Sequence, residues 1–338
     1  MPIHTVLGPI EPDQLGLTSM HEHLLIDCRV LHVEPETPPP AGDQVRIENL
    51  GWLHWNNQGL LDNLVVDDAA VVATELEAFA AAGGSGVVDM TNVGLGRDVA
   101  RLPEIARNSG THVMIGAGWY LHPTHPPEVE ASSPERLAEL IVAELREGVD
   151  GTGIRPALIG EIGSSHPVTE RERKVLTAAA WAAIETGAAV NVHVEPAGAH
   201  GVEVAKLLTG EGMDPTRIVL SHMDERMDLD YHLAVAATGV VLEFDTFGME
   251  AWWKIPDRDP TDDVRMGRVA ELLSRGLGDR LVLGCDVFTK TCHRAWGGQG
   301  YQHLPARVAP MLRDHFGVAA EELETMLVHT PRRLLDRP

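Results

Sequence analysis

Residues 157–195 read ALIGEIGSSHPVTERERKVLTAAAWAAIETGAAVNVHVE, and the architecture of the whole chain follows from this pattern. Two short apolar runs, Ala157–Ile162 and Ala189–Val194, flank the longer segment Thr169–Thr186, whose pattern is helical. Apolar runs with so little internal polarity are typical of parallel strands that are buried on both faces. The stretch therefore predicts a strand, a helix and a second, parallel strand.

The same alternation extends along the chain. Eight apolar runs predict strands, namely Leu15–Met20, Gly86–Met90, His112–Ala117, Ala157–Ile162, Ala189–Val194, Arg217–Ser221, Gly239–Phe244 and Arg280–Cys285. Eight segments predict helices, namely Asp67–Ala82, Arg97–Asn108, Ser133–Glu147, Thr169–Thr186, Gly201–Glu211, Leu229–Ala237, Thr261–Arg275 and the stretch from Leu304 to Leu335. Strict alternation of this kind predicts an α/β fold, the (β/α)8 TIM barrel. A doubly wound open sheet is the alternative, but no glycine-rich phosphate loop follows an early strand.

Several helix boundaries carry their own signals. Ser133 before Pro134 is a typical N-cap, and Thr169 with Glu172 forms a capping-box pattern. Gly187 is placed to end the fourth helix.

Two segments lie outside the alternation. The first fifteen residues predict a short N-terminal hairpin that closes the bottom of the barrel. The Pro- and Asn-rich segment Leu31–Leu61 predicts a long loop after strand 1 rather than a linker between domains. We therefore expect residues 1–338 to form a single domain.

Composition excludes several classes of protein. With 44% hydrophobic and 23% charged residues, the chain cannot be wholly disordered. The net charge of −23 argues against a nucleic-acid or anionic-membrane partner, because phosphates would be repelled. The N-terminus lacks signal-peptide features, no apolar run is long enough to span a bilayer, and three cysteines are too few for a disulfide framework. These features predict a cytoplasmic protein.

Polar residues cluster where the predicted strands end. His21 and His23 are two positions apart, so both imidazoles can share one face of strand 1 while Glu22 points away. A surface turn would give the same three letters. The metal interpretation gains weight because further candidate ligands end other strands, at the edge where barrel active sites are built. The six candidates, which suit two divalent ions sharing a carboxylate, are His21, His23, Glu161, His193, His222 and Asp286.

Taken together, these motifs resemble the phosphotriesterase family of the amidohydrolase superfamily. The resemblance covers nearly the whole chain, through LGLTSMHEHL, GEIGSS, NVHVE, IVLSHMDERMDLDYH, LEFDTFG, LGCDVF and HTPRRLL. It implies a barrel with a binuclear metal centre, usually zinc but with manganese, cobalt or iron as possibilities, and a possible homodimer. Glu161 stands where most members have a carboxylated lysine, and a bridging glutamate is typical of the phosphotriesterase-related branch.

The resemblance also assigns roles. It implies that His21, His23 and Asp286 bind the more buried metal, and that His193 and His222 bind the more exposed one. A metal-bridging hydroxide would then attack a carbonyl group of a small substrate, a lactone, ester or N-acyl amide, with Asp286 as the proton acceptor. Tyr120 resembles the tyrosine that orients the carbonyl in lactonase members, although the arginine that those lactonases carry after strand 7 is absent from Phe244-Asp245-Thr246.

Candidate substrate-binding residues follow the last two strands. Lys290, His293 and Arg294 could form a positive rim for an anionic group, and Trp252 and Trp253 could line an apolar wall. Two alternative functions stay open: a phosphotriester or phosphoester hydrolase, and a non-catalytic binding protein that retains its metals. The complete set of candidate ligands argues against the second.

Overall fold

The computed structural model describes residues 1–250 and 259–337. Eight parallel strands lie side by side in chain order, which confirms the predicted (β/α)8 barrel. The strands are β1 (Thr18–Glu22), β2 (Gly86–Asp89), β3 (His112–Ala117), β4 (Leu158–Ser164), β5 (Val190–Val194), β6 (Ile218–Leu220), β7 (Val241–Phe244) and β8 (Leu281–Leu283).

A backbone hydrogen bond joins the segment that follows the last strand to the end of the first strand. The backbone nitrogen of Asp286 donates to the carbonyl oxygen of His21 over 3.1 Å. Gly284 permits this close approach, since a Cβ there would lie 2.9 Å from the same oxygen. The end of β8 is therefore held directly against the residues that end β1.

Helices cover the outside of the barrel. The main ones are α1 (Ala69–Ala81), α2 (Leu102–Ser109), α3 (Pro134–Glu147), α4 (Glu170–Thr186), α5 (Gly201–Gly210), α6 (Leu229–Ala236) and α7 (Asp262–Ser274). The predicted caps of α3 and α4 are confirmed: the side chains of Ser133 and Thr169 accept the expected backbone hydrogen bonds, Glu172 completes the capping box, and Gly187 ends α4 with φ +70°.

Several predicted boundaries differ from the structure, and three of the differences are informative. Strand β1 begins later than predicted and includes His21 and Glu22. Helix α2 begins at Leu102, because Val99–Arg101 forms a 3-10 turn before it. The final stretch is not one helix: Leu304–Val308 and Ala309–Asp314 are separated from Ala320–Glu324, Thr325–His329 and Thr330–Leu335 by a turn at Gly317, where φ is +68°.

The N-terminal hairpin is confirmed and helps to fill the barrel. Ile3–Thr5 pairs antiparallel with Gly8–Ile10. Ile3 joins the C-terminal residues Leu334 and Leu335 in one buried cluster with inward-facing strand residues such as Met114 and Val219. The chain termini therefore close the end of the barrel opposite the candidate ligands.

The long loop after β1 is also confirmed. It leaves and returns through an antiparallel pair, Ile26–Asp27 with Val65–Val66, and carries the short helix Leu50–Leu53. Val45, Leu53 and Leu60 give it a small apolar core of its own. Within the described residues, no helix is both long and apolar enough to cross a bilayer.

Candidate metal centre

The six residues predicted as metal ligands come together at the carboxyl ends of the strands. All six are buried, with relative exposures of at most 8%. Strands β1 and β4, which carry His21 and Glu161, each contain one residue more than the facing stretch of the neighbouring strand. Such bulges are frequent beside active sites, because they redirect side chains at the end of a strand.

Glu161 is the centre of this cluster. Its Oε1 lies 2.9 Å from His222 Nε2, 3.2 Å from His193 Nδ1 and 3.7 Å from His21 Nε2. Three imidazoles from three different strands thus converge on one carboxylate oxygen.

Asp286 forms the other side of the cluster. Its Oδ1 lies 3.3 Å from His23 Nε2 and 3.9 Å from His21 Nε2. Asp286 and His222 have left-handed backbones, with φ of +44° and +59°. Residues with a Cβ avoid this region unless the surroundings hold them there, and such residues concentrate at functional sites.

In His21, His23 and His222 the ring nitrogen that faces away from the cluster has its own partner, whereas Nε2 of His193 is buried without a hydrogen bond to any described residue. His23 Nδ1 lies 2.9 Å from Thr91 Oγ1, and His222 Nδ1 lies 3.1 Å from Asp245 Oδ1. His21 Nδ1 lies 3.1 Å from Asp245 Oδ2 and 3.2 Å from Glu243 Oε2. This is the arrangement of metal-ligating histidines, in which the second nitrogen donates to a carboxylate or hydroxyl that fixes the ring.

Sequence reasoning missed Glu243 and Asp245. Both are completely buried and end β7 two positions apart, which is the same spacing that singled out His21 and His23. Glu243 Oε2 also accepts hydrogen bonds from Asn191 and Ser221, at 2.6 and 2.7 Å. The spacing of two acidic residues in LEFDTFG was therefore an available signal.

The donor atoms fit divalent metal ions. Three groups place one ligand atom from each member within 4.8 Å of the others: His21 with His23 and Glu161, His21 with His222 and Asp245, and Glu161 with His193 and His222. His21 Nε2 is buried and makes no hydrogen bond, although its ring is held from the opposite side. A cation between these groups would give it a partner.

Electrostatics point the same way. Burial alone would raise the pKa of Glu161, but the neighbouring His21, His193 and His222 hold it well below its usual value. Burial would lower the pKa of His21, yet the charges of Glu161 and Asp245 raise it well above normal. The cluster therefore keeps an ionised carboxylate in a buried place, which requires a compensating positive charge.

A match to a known family decides the identity. The family model of the phosphotriesterase family matches residues 1–335.

The chain belongs to the phosphotriesterase family. Within it, the chain is 36% identical to an N-acetyltaurine hydrolase of Tetraodon nigroviridis, over 98% of this chain and 97% of the relative. Among solved structures, a resiniferatoxin-binding protein from Rhodobacter sphaeroides superposes with a TM-score of 0.95 at 38% identity, covering 99% of this chain and 95% of that one. A lactonase from Listeria monocytogenes superposes with a TM-score of 0.82 at 25% identity, covering 99% of each chain. The chain is a metal-dependent hydrolase that acts on carbonyl substrates.

As in other barrel enzymes, the candidate ligands of this phosphotriesterase-family chain lie beneath a cavity. Its volume is about 360 Å³. His23, Glu161, His193, His222 and Asp286 contribute to its lining, and the loop after β1 supplies much of the wall through residues that include Leu31, Val33, Pro35, Trp55 and Asn56–Gly59.

Tyr120 lies in this cavity beside His193. Its hydroxyl is 3.2 Å from His193 Nδ1, and the two ring centroids are 4.9 Å apart. Burial and the charge of Glu161 raise the pKa of Tyr120 well above normal, so its hydroxyl keeps its proton. The tyrosine is therefore a hydrogen-bond donor next to the cluster of candidate ligands.

The residues that line the cavity do not include Lys290, His293 or Arg294, which were expected to form a positive rim. Lys290 Nζ is bound to Asp62 at 2.6 Å. His293 is completely buried, with its ring nitrogens 3.0 Å from the Thr289 carbonyl and 3.2 Å from the Tyr301 hydroxyl, and Arg294 is exposed. Trp252 and Trp253 lie outside the described residues.

Proposed function

We propose that this chain hydrolyses the amide bond of a small N-acyl amine such as N-acetyltaurine, using two divalent metal ions. The observation that carries the proposal is the sharing of Glu161 Oε1 among His21, His193 and His222, within 3.7 Å. A buried oxygen so placed suits a carboxylate that bridges two metals. The identity to N-acetyltaurine hydrolases over 98% of the chain supports the amide as the substrate bond.

The cluster divides into two sets of proposed ligands. His21, His23 and Asp286 would hold one metal, His193 and His222 the other, and Glu161 both. Mixed imidazole and carboxylate ligands favour zinc, while manganese, cobalt and iron also accept them. The three free cysteines support a reducing, cytoplasmic setting.

When bound, the metals would polarise the substrate carbonyl and acidify a water molecule. Asp286 lines the cavity with Oδ1 3.3 Å from His23 Nε2, and its carboxylate, unlike that of Glu161, is not shared among three imidazoles. We assign it the proton of the attacking water, which it would then deliver to the leaving nitrogen.

Tyr120 would donate a hydrogen bond from its hydroxyl group to the carbonyl oxygen of the substrate. It keeps that proton because it is buried beside an ionised carboxylate, and it stands on the His193 side of the cluster. A preorganised donor there stabilises the charge that develops on the oxygen.

Lactone hydrolysis is the second candidate. The likeness to the Listeria lactonase and the position of Tyr120 favour it. Both substrate classes present a carbonyl carbon to the same groups, so the leaving group distinguishes them: an amine must be protonated as it leaves, whereas a lactone alkoxide stays tethered.

A substrate panel tests the proposal. The chain is loaded with zinc, manganese or cobalt, its metal content is measured, and N-acetyltaurine, N-acetyl amino acids, lactones and a chromogenic phosphotriester are compared by kcat/KM. We expect about two metals per chain and the fastest turnover on an N-acyl amide. The Asp286→Asn variant should show no turnover. Fastest turnover on a lactone would select the second candidate. Inactivity on every carbonyl substrate with both metals bound would overturn both.

A further inference from the structure

Glu22, the middle residue of the HEH motif, lies in the seam where the last strand meets the first. As expected, its side chain turns away from the cavity, but it is completely buried rather than exposed. Oε1 accepts hydrogen bonds from Ser19 Oγ at 2.5 Å and from the backbone nitrogen of Cys285 at 3.1 Å. Oε2 accepts one from the backbone nitrogen of Val287 at 3.0 Å.

The two backbone groups held by Glu22 stand on either side of Asp286. The nitrogen of Asp286 itself donates to the carbonyl oxygen of His21 over 3.1 Å. Three consecutive peptide nitrogens, from Cys285 to Val287, are thus all bound by residues at the end of β1. Between them Asp286 has φ of +44°, a backbone conformation that persists only where its surroundings hold it.

We propose that Glu22 is a positioning residue that fixes the direction of the Asp286 carboxylate. A carboxylate with both oxygens engaged by donors on opposite sides of Asp286 restrains the rotation of that residue's backbone. The side chain of Asp286 is then aimed at His23 and His21, at 3.3 and 3.9 Å. The inference rests on the proposed function, because it takes Asp286 as a metal ligand and proton acceptor.

A buried glutamate elsewhere in the chain provides a matched control. Glu75 on α1 is 4% exposed, and its Oε1 accepts a hydrogen bond from the backbone nitrogen of Ala295 at 3.1 Å. It holds the same loop after β8 from outside the cavity. If buried glutamates here contribute only stability, then Glu22→Gln and Glu75→Gln will have the same consequences.

The experiment uses metal-loaded protein and three readouts. Zinc affinity is measured by competition with a chelator, kcat and KM are measured separately on N-acetyltaurine, and Tm is recorded. For Glu22→Gln we expect zinc affinity and kcat to fall about 10- to 100-fold, the range for outer partners of metal ligands, with little change in KM. Ser19→Ala removes one of the three hydrogen bonds to Glu22, and it should lower zinc affinity and kcat by a smaller factor. Glu75→Gln lowers Tm alone.

The same substitutions in an Asp286→Asn background separate positioning from general damage. If Glu22 acts through Asp286, Glu22→Gln causes no further loss of zinc affinity there, since interacting residues are not additive. An equal loss in both backgrounds, or unchanged zinc affinity and kcat in the wild-type background, would overturn the inference. Should Glu22→Gln fail to fold, unchanged values for Ser19→Ala overturn it instead. Full activity and zinc affinity in Asp286→Asn would count against the proposed function itself.

Discussion

Asp245 holds His222 by two separate groups, accepting hydrogen bonds at Oδ1 from the backbone nitrogen at 3.0 Å and from Nδ1 at 3.1 Å. Its Oδ2 lies 3.1 Å from Nδ1 of His21. One carboxylate therefore orients an imidazole in each of the two proposed ligand sets. Burial would raise the pKa of Asp245, but the charges of His222 and His21 keep it below its usual value, so it remains an acceptor for both rings.

Asp245→Asn is expected to weaken both metals together. An amide offers one acceptor oxygen, so either His222 loses its carboxylate partner or His21 keeps only Glu243, and the orientation of both rings is disturbed. We expect metal affinity and kcat/KM to fall about 10- to 100-fold. Metal titration with chelator competition measures the first, and amide turnover the second. Asp262→Asn is the control, because Asp262 binds His303 and Arg265 instead. A loss of only one metal would contradict the shared role of Asp245.

Glu161→Gln is expected to remove the second metal. The amide nitrogen cannot bind a cation, so it offers no bridge between the two ligand sets. We expect stoichiometry to fall from about two metals to about one, with most activity lost. Metal analysis after dialysis measures this. The control is Glu172→Gln. Glu172 is a completely buried glutamate that binds Thr169, Ser165 and His122 around the start of α4, so its substitution should lower Tm without changing metal content. Two tightly bound metals in Glu161→Gln would refute the bridge.

The sequence predicted the barrel and gathered the six candidate ligands because both depend on local patterns. Apolar runs locate strands, and a strand places its last residues at the catalytic edge of the barrel whatever the loops do. Glu243 and Asp245 have the same local spacing, but acidic residues two apart are also common on surfaces, so their spacing is a weaker signal than that of His21 and His23.

Sequence patterns say least about contacts between segments that are distant along the chain. Lys290 follows a strand as a substrate-binding residue would, but its partner Asp62 belongs to the loop after β1. The direction of Glu22 could be inferred from the alternation of side chains along a strand. That its carboxylate binds the backbone beside Asp286 could not, since this depends on how the barrel closes.

Lys290 and Asp62 should act as a pair. Their contact at 2.6 Å joins the loop that lines the cavity to the segment after β8. Asp62 also accepts a hydrogen bond from the backbone nitrogen of Val45 at 2.8 Å. We expect Lys290→Met and Asp62→Asn each to raise KM a few-fold, through a looser wall, with kcat and metal content retained. Steady-state kinetics on neutral and anionic amides checks this. If Lys290 instead bound an anionic substrate directly, Lys290→Met alone would raise KM, and only for the anionic amide.

Tyr120→Phe should lower kcat without removing metal. The substitution deletes the hydroxyl 3.2 Å from His193 Nδ1 and leaves the ring in place. Loss of one preorganised donor typically costs about 10²- to 10³-fold in kcat. Tyr231→Phe is the control, because the hydroxyl of Tyr231 accepts a hydrogen bond from the backbone nitrogen of Gly201 and does not line the cavity. Equal kcat in Tyr120→Phe and wild type, at unchanged metal content, would remove Tyr120 from the mechanism.

His293 should make stability depend on pH. Burial lowers the pKa of His293 to about 4, whereas in the unfolded chain it is about 6.5. Between these two pH values, the His293 imidazole is protonated in the unfolded chain and neutral in the folded chain. The stabilising contribution is therefore complete above about pH 6.5 and is lost as the pH falls toward about 4, by about 3 kcal/mol in all.

The variant His293→Gln tests this dependence without a titratable group. It should be less stable than wild type at pH 7.5, because the hydrogen bonds to Thr289 and Tyr301 are disturbed. The difference in free energy of unfolding between wild type and variant should narrow by about 2 kcal/mol at pH 5, since only the wild type loses the contribution of His293. Urea unfolding at the two pH values measures this difference. Leu312→Ala, a substitution of a completely buried leucine, should give the same difference at both pH values. A difference for His293→Gln that stays constant would mean that the imidazole takes up its proton over the same pH range in the folded and the unfolded chain.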